Sequence, residues 1–403
     1  MSFLILNSGS SSLKLVLFDS DSESVLLTGL VQAIGTSEAH WQINLSDQVD
    51  VAPSNEGPTE ATNLSGTVED DAWSTVRQVL IQLEMWGDIQ LVVHRLVHGG
   101  SQFSEATRLT PEVCQKLESL TDLAPLHLPR ALGLIRQISQ LENTKPQVAV
   151  FDTAYYRWLP PSQYLYPVPY SWFQEWGIRR YGFHGLSHQY CAETATRQLK
   201  QVGRSADRLI ICHLGNGCSV TAIQSARPVA TSMGFTPLDG VMMGSRSGSI
   251  DPGILFYLEG KGLANSSQLS KALNQHSGLL GVSGVSNDFR AVTQAAVEGN
   301  ERAGLALEMF ADRIRQCIGA YATVMNGLDA LVFTGGIGQN SAALRAAVCG
   351  PLEFLGCDLD STKNTAVRPH WIDNEKSRVS LMVIETREEL TALRLTKELL
   401  QNS

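Results

Sequence analysis

The chain has 403 residues, 43% of them hydrophobic and 18% charged, with a formal net charge of -9. That length exceeds one comfortable core and predicts two domains. The acidic balance excludes a general nucleic-acid binder, and the lack of any run of about 18 uncharged apolar residues excludes a membrane-spanning helix. An anionic substrate would have to be held by local Arg, Lys, backbone N–H groups or metal, because the overall field repels it. The seven cysteines, Cys114, Cys191, Cys212, Cys218, Cys317, Cys349 and Cys357, form no C-x-x-C pair. They read as reduced thiols of a cytoplasmic protein, and no basic region ahead of an apolar one suggests secretion.

In chain order, residues 3–7 (FLILN) and 13–19 (LKLVLFD) predict two strands joined by a Ser/Gly turn. HWQINL at 40–45 alternates and predicts a third strand, and the acidic, Ser/Asn/Pro/Gly-rich residues 46–71 predict an exposed loop. DAWSTVRQVLIQLEMW has helical spacing, and IQLVVHRLVHGG returns as a buried strand ending at paired glycines. Thr110-Pro111-Glu112 marks a helix start, and QVAVFDTAYY is another short apolar strand. After a Pro-rich stretch at 159–169 the pattern repeats: RLIICHLGNGCSVTAIQ at 208–224 is again strand, small-residue turn, strand. ALVFTGGIGQNS is then a strand running into a Gly turn, and LMVIETREELTALRLTKELL closes the chain as strand, turn and helix. Strand-turn-strand near the start of each half predicts two related α/β domains.

Four small-residue turns each follow an apolar strand: NSGSSS at 7–12, HLGNG at 213–217, MMGSRSGSIDPG at 242–253 and GGIGQN at 335–340. Glycine lets backbone N–H groups approach a polyanion, and consecutive N–H groups make an anion-binding nest. One such turn is commonly only a turn; four in one chain predict a nucleotide-phosphate site. The familiar nucleotide and metal motifs are absent. There is no G-x-x-x-x-G-K-[ST], no helix-opening G-x-G-x-x-G and no H-E-x-x-H, and HRLVHGG lacks the Asp of a protein-kinase catalytic loop.

Arg95 and Arg246 lie in short polar stretches beside apolar strands, where a guanidinium suits a bidentate clamp on carboxylate or phosphate. His127 in APLHLP is flanked by prolines, and His184 is bracketed by Gly182 and Gly185 after Arg179 and Arg180, a setting that favours an anion-facing role. Asp152 ends a buried strand, where an unpaired carboxylate would be costly. Asn7 and Glu388 stand at strand ends and offer oxygen, the ligand type Mg²⁺ prefers, although Glu388 equally suits a helix cap.

Taken in order, NSGSSSLK, HRLVHGG, APLHLP, FDTAYY, RRYGFHGLSH, HLGNGCSV, MGFTPLDGVMMGSRSG, GGIGQN and TREEL resemble the acetate kinase family over essentially the full chain. The resemblance implies the fold of sugar kinases, actin and the heat-shock chaperones: two similar actin-like (ribonuclease H-like) α/β domains flanking a nucleotide cleft. Residues 1–150 with 388–403 would form one domain, and 151–387 the other, carrying most of the nucleotide site. By the same resemblance Asn7 and Glu388 match Mg²⁺ ligands (Mn²⁺ being the other candidate), and Lys14 matches a nucleotide-contacting lysine. The ATP/ADP-binding positions match His213, Leu214, Gly215, Asn216 and Gly217; Asp288, Phe289 and Arg290; and Gly336, Ile337, Gly338, Gln339 and Asn340. Arg95 matches the carboxylate-binding arginine and Asp152 the essential acid. His184 and Arg246, with His127 close by, match the groups that stabilise the moving phosphoryl group. Val97, Leu126, Phe183 and Pro237 would form a small apolar pocket for the acyl methyl group. Two departures stand out: Gln339 where the family usually has Glu, and Ser249 where Asp is usual.

The implied reaction is reversible transfer of a phosphoryl group from ATP to acetate, giving acetyl phosphate and ADP, in a cytoplasmic homodimer with neither nucleic-acid nor membrane partners. Acetate is already ionised at neutral pH, so no general base is needed, and Asp152 reads better as orienting an Arg or a metal-bound water. A propionate or butyrate kinase would share every motif and differ in the acyl pocket. A sugar kinase would need an acidic base, against which the Arg95 and Arg246 pair argues. A non-catalytic actin-like ATP-binding protein would leave both arginines and His184 without a purpose.

Overall fold

The computed structural model describes residues 2–9, 11–46, 63–68, 71–125, 127–141, 145–367 and 370–402. The chain divides into two compact units: Met1–Ala154 with Glu388–Ser403, and Tyr155–Arg387.

The first unit is built on eight strands: β1 (Ser2–Ser8), β2 (Leu13–Asp19), β3 (Val25–Gln32), β4 (His40–Leu45), β5 (Asn63–Thr67), β6 (Ile89–Leu96), β7 (Thr107–Arg108) and β8 (Gln147–Phe151). They lie in the order β5-β4-β3-β2-β1-β6-β8-β7. β1 pairs antiparallel with β2 and parallel with β6, and β6 pairs parallel with β8. The second unit has five strands, β9 (Arg208–Leu214), β10 (Cys218–Gln224), β11 (Arg227–Thr231), β12 (Ala330–Thr334) and β13 (Ser380–Val383), in the order β11-β10-β9-β12-β13. Again the first three are antiparallel neighbours and the last two run parallel to β9. The five central strands β3-β2-β1-β6-β8 therefore repeat in order and direction as β11-β10-β9-β12-β13. The two predicted strand-turn-strand openings are the β1–β2 and β9–β10 hairpins of this repeat.

Period-two alternation decides which side of β1 meets which helix. Leu4 and Leu6 join Leu13, Leu15 and Leu17 in a core closed by Trp73, Val76 and Leu80 of the helix Ala72–Gln82 and by Leu134 and Ile138 of the helix Leu128–Leu141. Asp71 caps the first of these helices, its Oδ1 accepting from the amides of Trp73 at 2.9 Å and Ser74 at 3.0 Å. Phe3, Ile5 and Asn7 alternate onto the other face of β1. The closing helix Glu388–Gln401 packs against β1, β6 and β8 through buried Leu390, Ala392 and Leu393. β8 and β12 are buried at every position, as their uninterrupted apolar runs require.

Two expectations need correction. Val25–Gln32 is a strand between the two predicted ones, so HWQINL is the fourth strand; Thr28 and Gly29 break its alternation and hid it. Within the expected loop at 46–71, Asn63–Thr67 forms β5 and pairs with β4, because a sheet edge lends a polar segment the backbone partners that its composition does not suggest. The rest of that loop, residues 47–62 and 69–70, lies outside the described residues.

One core polar pair has a measurable consequence. His94 on β6 is 2% exposed, and its Nε2–H donates to Gln147 Oε1 at 2.7 Å. Gln147 Nε2 in turn donates to Ser139 Oγ at 2.7 Å. Burial holds the His94 pKa down to about 4 against the opposing bond from Gln147. The ring is thus neutral when folded but takes a proton when unfolded, below its ordinary pKa of about 6.5. Folding stability is fully present above that value and is lost as pH falls toward 4. Urea unfolding should show this loss. Between about pH 5 and 6 the His94→Leu variant should have a slope shallower by about 1.4 kcal/mol per pH unit; equal slopes would show that His94 is protonated in the native state.

Candidate active site

The functional side chains cluster at the last row of each central strand. In the first unit Asn7, one residue from the end of β1, is register-paired with Lys14 on β2 and with Arg95 on β6. These three residues share the face covered by the helix Glu388–Gln401. Asp152 follows β8 directly, its amide donating to Leu96 O at 3.0 Å. Arg95 donates through Nε to Asp152 Oδ1 and through Nη2 to Asp152 Oδ2, both at 2.9 Å, and its Nη1 donates to Glu388 Oε2. A guanidinium carries five N–H donors; three are committed here, and two remain.

This cluster is nearly dry: the Arg95, Asp152 and Glu388 side chains are 14%, 3% and 13% exposed. Burial opposes the Arg95 charge, but the carboxylates of Asp152 and Glu388 outweigh it and raise the guanidinium pKa above its ordinary value. Glu388 is pushed up to about 7, chiefly by burial, with Arg95 pulling the other way and Asp152 adding like-charge repulsion. Asp152 therefore orients an arginine, in line with one of the two readings of that acid. Arg95 is already engaged by two protein carboxylates, which the sequence did not disclose.

The second unit repeats the arrangement with different chemistry. His213, one residue from the end of β9, is register-paired with Ser219 on β10 and with Thr334 on β12, the positions corresponding to Asn7, Lys14 and Arg95. The turn between β9 and β10 is closed by the Gly215 amide donating to Gly217 O at 3.1 Å. His184 sits in the left-handed region (φ 57°) at the start of the helix Gly185–Gln201. Its Nδ1 lies 2.9 Å from Ser219 Oγ, and its ring stacks on His213 at 4.4 Å between centroids. A Cβ built on Gly217 would lie 3.5 Å from His184 Nε2 and 3.7 Å from Arg246 Nη1, so both groups face this glycine. Arg246 donates to Pro237 O at 3.3 Å, and among the described residues no carboxylate pairs with it. Burial holds its pKa below the ordinary arginine value. A half-buried guanidinium without a counter-anion, beside an imidazole and a glycine turn, is built to receive an anion.

Next to that turn lies a cavity of about 830 Å³ lined by the predicted Gly215, Asn216, Asp288, Phe289, Arg290, Gly336, Ile337 and Asn340, together with Asn287, Thr293, Gln294 and Ser341. Two of the four predicted glycine turns, at 213–217 and 335–340, thus meet the predicted 288–290 segment in one place, while His213, Leu214, Gly217, Gly338 and Gln339 stand behind or beside it rather than on its wall. Gly335 at φ 77° opens the 335–340 turn, and a Cβ there would come within 2.6 Å of Leu214 O, so only glycine lets the two turns touch. Asp288 and Arg290 pair with each other at 2.6 Å on an exposed edge, which leaves neither a bare charge. Arg345, 1% exposed, was not anticipated from sequence. It donates to the carbonyls of Gly338 at 2.8 Å and Gln339 at 2.7 Å, pinning the turn from beneath. Since Gln339 is held through its backbone, Gln in place of Glu leaves that anchor intact. Ser249 donates to Asp239 Oδ1, where an aspartate would set a second carboxylate against the first.

The remaining predicted positions belong to both units. His127, in the first unit, immediately precedes the helix Leu128–Leu141. Val97 follows β6 and is half-buried, Leu126 lies outside the described residues, and Phe183 and Pro237 belong to the second unit. For a metal, Asn7, register-paired with Arg95, and Glu388, which accepts from Arg95, offer oxygen. Among the described residues no three or more His, Cys, Asp or Glu side chains gather into a cage. That donor set suits Mg²⁺, which is commonly held by one or two carboxylates plus substrate phosphates rather than by an all-protein site.

Removing one partner of the Arg95 cluster tests its weight. Asp152→Ala strands part of a buried guanidinium and should lower the unfolding free energy by about 3–5 kcal/mol in urea titrations. A loss under about 1 kcal/mol would mean that solvent replaces the carboxylate without cost.

The family model described as the acetokinase family matches residues 2–394. An acetate kinase of Microcystis aeruginosa is 45% identical over 396 residues, covering 96% of this chain and 97% of that protein. A propionate kinase of Citrobacter rodentium is 45% identical over 393 residues, 97% of this chain and 95% of that protein. The crystal structure of a propionate kinase from Francisella tularensis superposes with a TM-score of 0.89 at 36% identity, covering 98% of each chain. The duplicated five-strand core is thus that of the actin-like kinases. With a match that begins in β1 and runs into the helix that carries Glu388, this chain belongs to the acetokinase family of phosphotransferases acting on a carboxylate.

Proposed function

We propose that this chain transfers the γ-phosphoryl group of ATP reversibly and directly to acetate, giving acetyl phosphate and ADP. The observation that carries this reading is Arg246, a half-buried cation with no carboxylate partner among the described residues, set with His184 on the Gly217 turn. The physical difficulty of the reaction is bringing a carboxylate against a polyphosphate, so positioning and charge neutralisation dominate. Arg246 and His184 would stabilise the equatorial oxygens of the moving phosphoryl group. The neighbouring cavity would hold the nucleotide, with Gly215, Asn216, Gly336 and Ile337 lining its floor. Arg95 would orient the acceptor carboxylate with its two uncommitted N–H groups, Asp152 and Glu388 holding the guanidinium plane in place. Bound Mg²⁺, held through Asn7 and Glu388, would neutralise phosphate charge. The acceptor is already ionised, so Asp152 has no proton to take.

Propionate is the second reading, because relatives named acetate kinase and propionate kinase are equally similar to this chain. Half-buried Val97 is the acyl-pocket position most open to trimming. A hydroxamate assay with ATP, Mg²⁺ and acetate, propionate or butyrate should give the highest kcat/KM for acetate. Arg246→Ala should lower kcat by on the order of 10²–10³, and Val97→Ala should shift preference toward propionate. Higher kcat/KM for propionate in the unaltered protein would move the assignment to the longer acid, and no acyl phosphate from any acid would overturn it.

We also infer a cytoplasmic homodimer. None of the seven cysteines is in a disulfide, as in a reducing compartment. In the second unit Tyr170, Trp176, Phe256 and Tyr257 are each more than half exposed, large apolar side chains of the kind that partners cover. Light scattering should return twice the 43.9 kDa chain mass, and Phe256→Glu with Tyr257→Glu should shift it toward monomer. A monomer at micromolar concentration, before any substitution, would remove the inference.

A further inference from the structure

Ser219 is fully buried, and its hydroxyl stands between two imidazoles, 2.7 Å from His188 Nε2 and 2.9 Å from His184 Nδ1. One hydroxyl has a single proton, so the directions of the two bonds are coupled. His188 decides them. It is fully buried one turn into the helix Gly185–Gln201, and its Nδ1 has no hydrogen-bond partner among the described residues. A proton on that nitrogen would be a stranded N–H donor, the costlier of the two ways to leave an imidazole nitrogen unpartnered. The proton therefore sits on Nε2 and is donated to Ser219 Oγ. Ser219 must then donate its own proton to His184 Nδ1, which leaves the His184 proton on Nε2, the atom that faces Gly217.

We propose that His188 and Ser219 are positioning residues forming a relay, His188 Nε2–H to Ser219 Oγ–H to His184 Nδ1, that fixes His184 as the neutral Nε2–H tautomer. His184 then presents a hydrogen-bond donor, not a bare lone pair, to a phosphoryl oxygen at the Gly217 turn. The naming of that anion rests on the function proposed above; the tautomer does not.

The surroundings act in the same direction. A second proton on His184, at Nδ1, would make two N–H groups converge on Ser219 Oγ and leave the hydroxyl proton without an acceptor. His184 also starts a 17-residue helix, whose positive end disfavours a cation. Beside it stand the stacked His213, which is anchored to Ser187 Oγ at 2.7 Å, and the Arg246 guanidinium across Gly217. The Cys218 thiol next in sequence to Ser219 supplies no negative charge, because burial pushes it up to about 12. Burial, with a smaller contribution from His213, keeps the His188 pKa well below the ordinary imidazole value.

Nitrogen-15 spectra of histidine-labelled protein at about pH 7.5, where an ordinary imidazole is neutral, test the relay directly. His184, assigned by its loss in His184→Asn, should show a protonated Nε2 and a bare Nδ1. Ser219→Ala should mix the two tautomers, and Ser219→Thr should restore the single one. In acyl phosphate assays Ser219→Ala should lose kcat by on the order of tenfold with little change in KM for ATP. Ser219→Thr should recover kcat together with the single tautomer.

A protonated His184 Nδ1 in the unaltered protein, or an unchanged tautomer in folded Ser219→Ala, would overturn the relay. If the spectra are as expected but no acid is phosphorylated, the relay stands and the proposed reaction falls. Should Ser219→Ala not fold, the spectrum of the unaltered protein together with that of His188→Gln decides. Loss of the single tautomer in the glutamine variant supports the relay; its persistence refutes it.

Discussion

A polar side chain on a strand buried on both faces must either find a partner there, as His94 finds Gln147, or stand near the strand's end. β1, β9 and β12 are apolar almost throughout, and the polar residues Asn7, His213 and Thr334 stand at their last rows. Burying an unpaired polar group costs more than most single contacts return, so the sheet interior forces the chemistry to the strand ends. Those ends are also where the connecting turns expose their backbone N–H groups. The same constraint operates twice because the five-strand order is repeated, and it puts Asn7 and His213 at equivalent positions of their central strands. The turns at 8–12 and 215–217 then follow at equivalent points of the chain.

The two copies diverge in how they treat charge. In the first unit Arg95 is bound by Asp152 and Glu388, so its cation is largely spent on holding itself in place. A guanidinium fixed in this way loses little freedom when a further ligand arrives. In the second unit Arg246 pairs with no carboxylate among the described residues; it donates to the Pro237 carbonyl and faces Gly217 beside His184. One site is preorganised and close to neutral; the other is cationic and waiting for an anion. With a chain charge of -9, the uncompensated site gives local attraction to a substrate that the rest of the surface repels.

The imidazoles of the second unit illustrate how a polar network survives inside a fold. Ser187, His213, His184, Ser219 and His188 form a connected set of rings and hydroxyls. Donor and acceptor roles along it are constrained at one end, where the buried His188 Nδ1 has no partner among the described residues. Arg345 plays a comparable supporting part below the Gly335–Asn340 turn, its guanidinium met by the Gly338 and Gln339 carbonyls and by Asn364. Both features are buried, Ser219 and His188 fully and Arg345 to 1% exposure.

Much of this was legible in the residues alone. Apolar runs bounded by glycine turns marked β1, β2, β6, β8, β9, β10 and β12, because burial on both faces leaves a composition that local inspection can read. The turns at 213–217 and 335–340 announced themselves through glycine, whose lack of a Cβ is a local property. β3 escaped because Thr28 and Gly29 blur its period, and β5 because its partner β4 supplies what its own sequence lacks. The tertiary structure alone brought Glu388, nearly three hundred residues away in the chain, onto Arg95 and turned a presumed free clamp into a compensated one. It alone placed Ser219 between His184 and His188 and set Arg345 under the Gly335–Asn340 turn. Hydrogen-bond direction and charge pairing depend on distances between remote segments. Those distances follow from how helices pack on the sheets, whereas turn geometry and strand burial are written into consecutive residues.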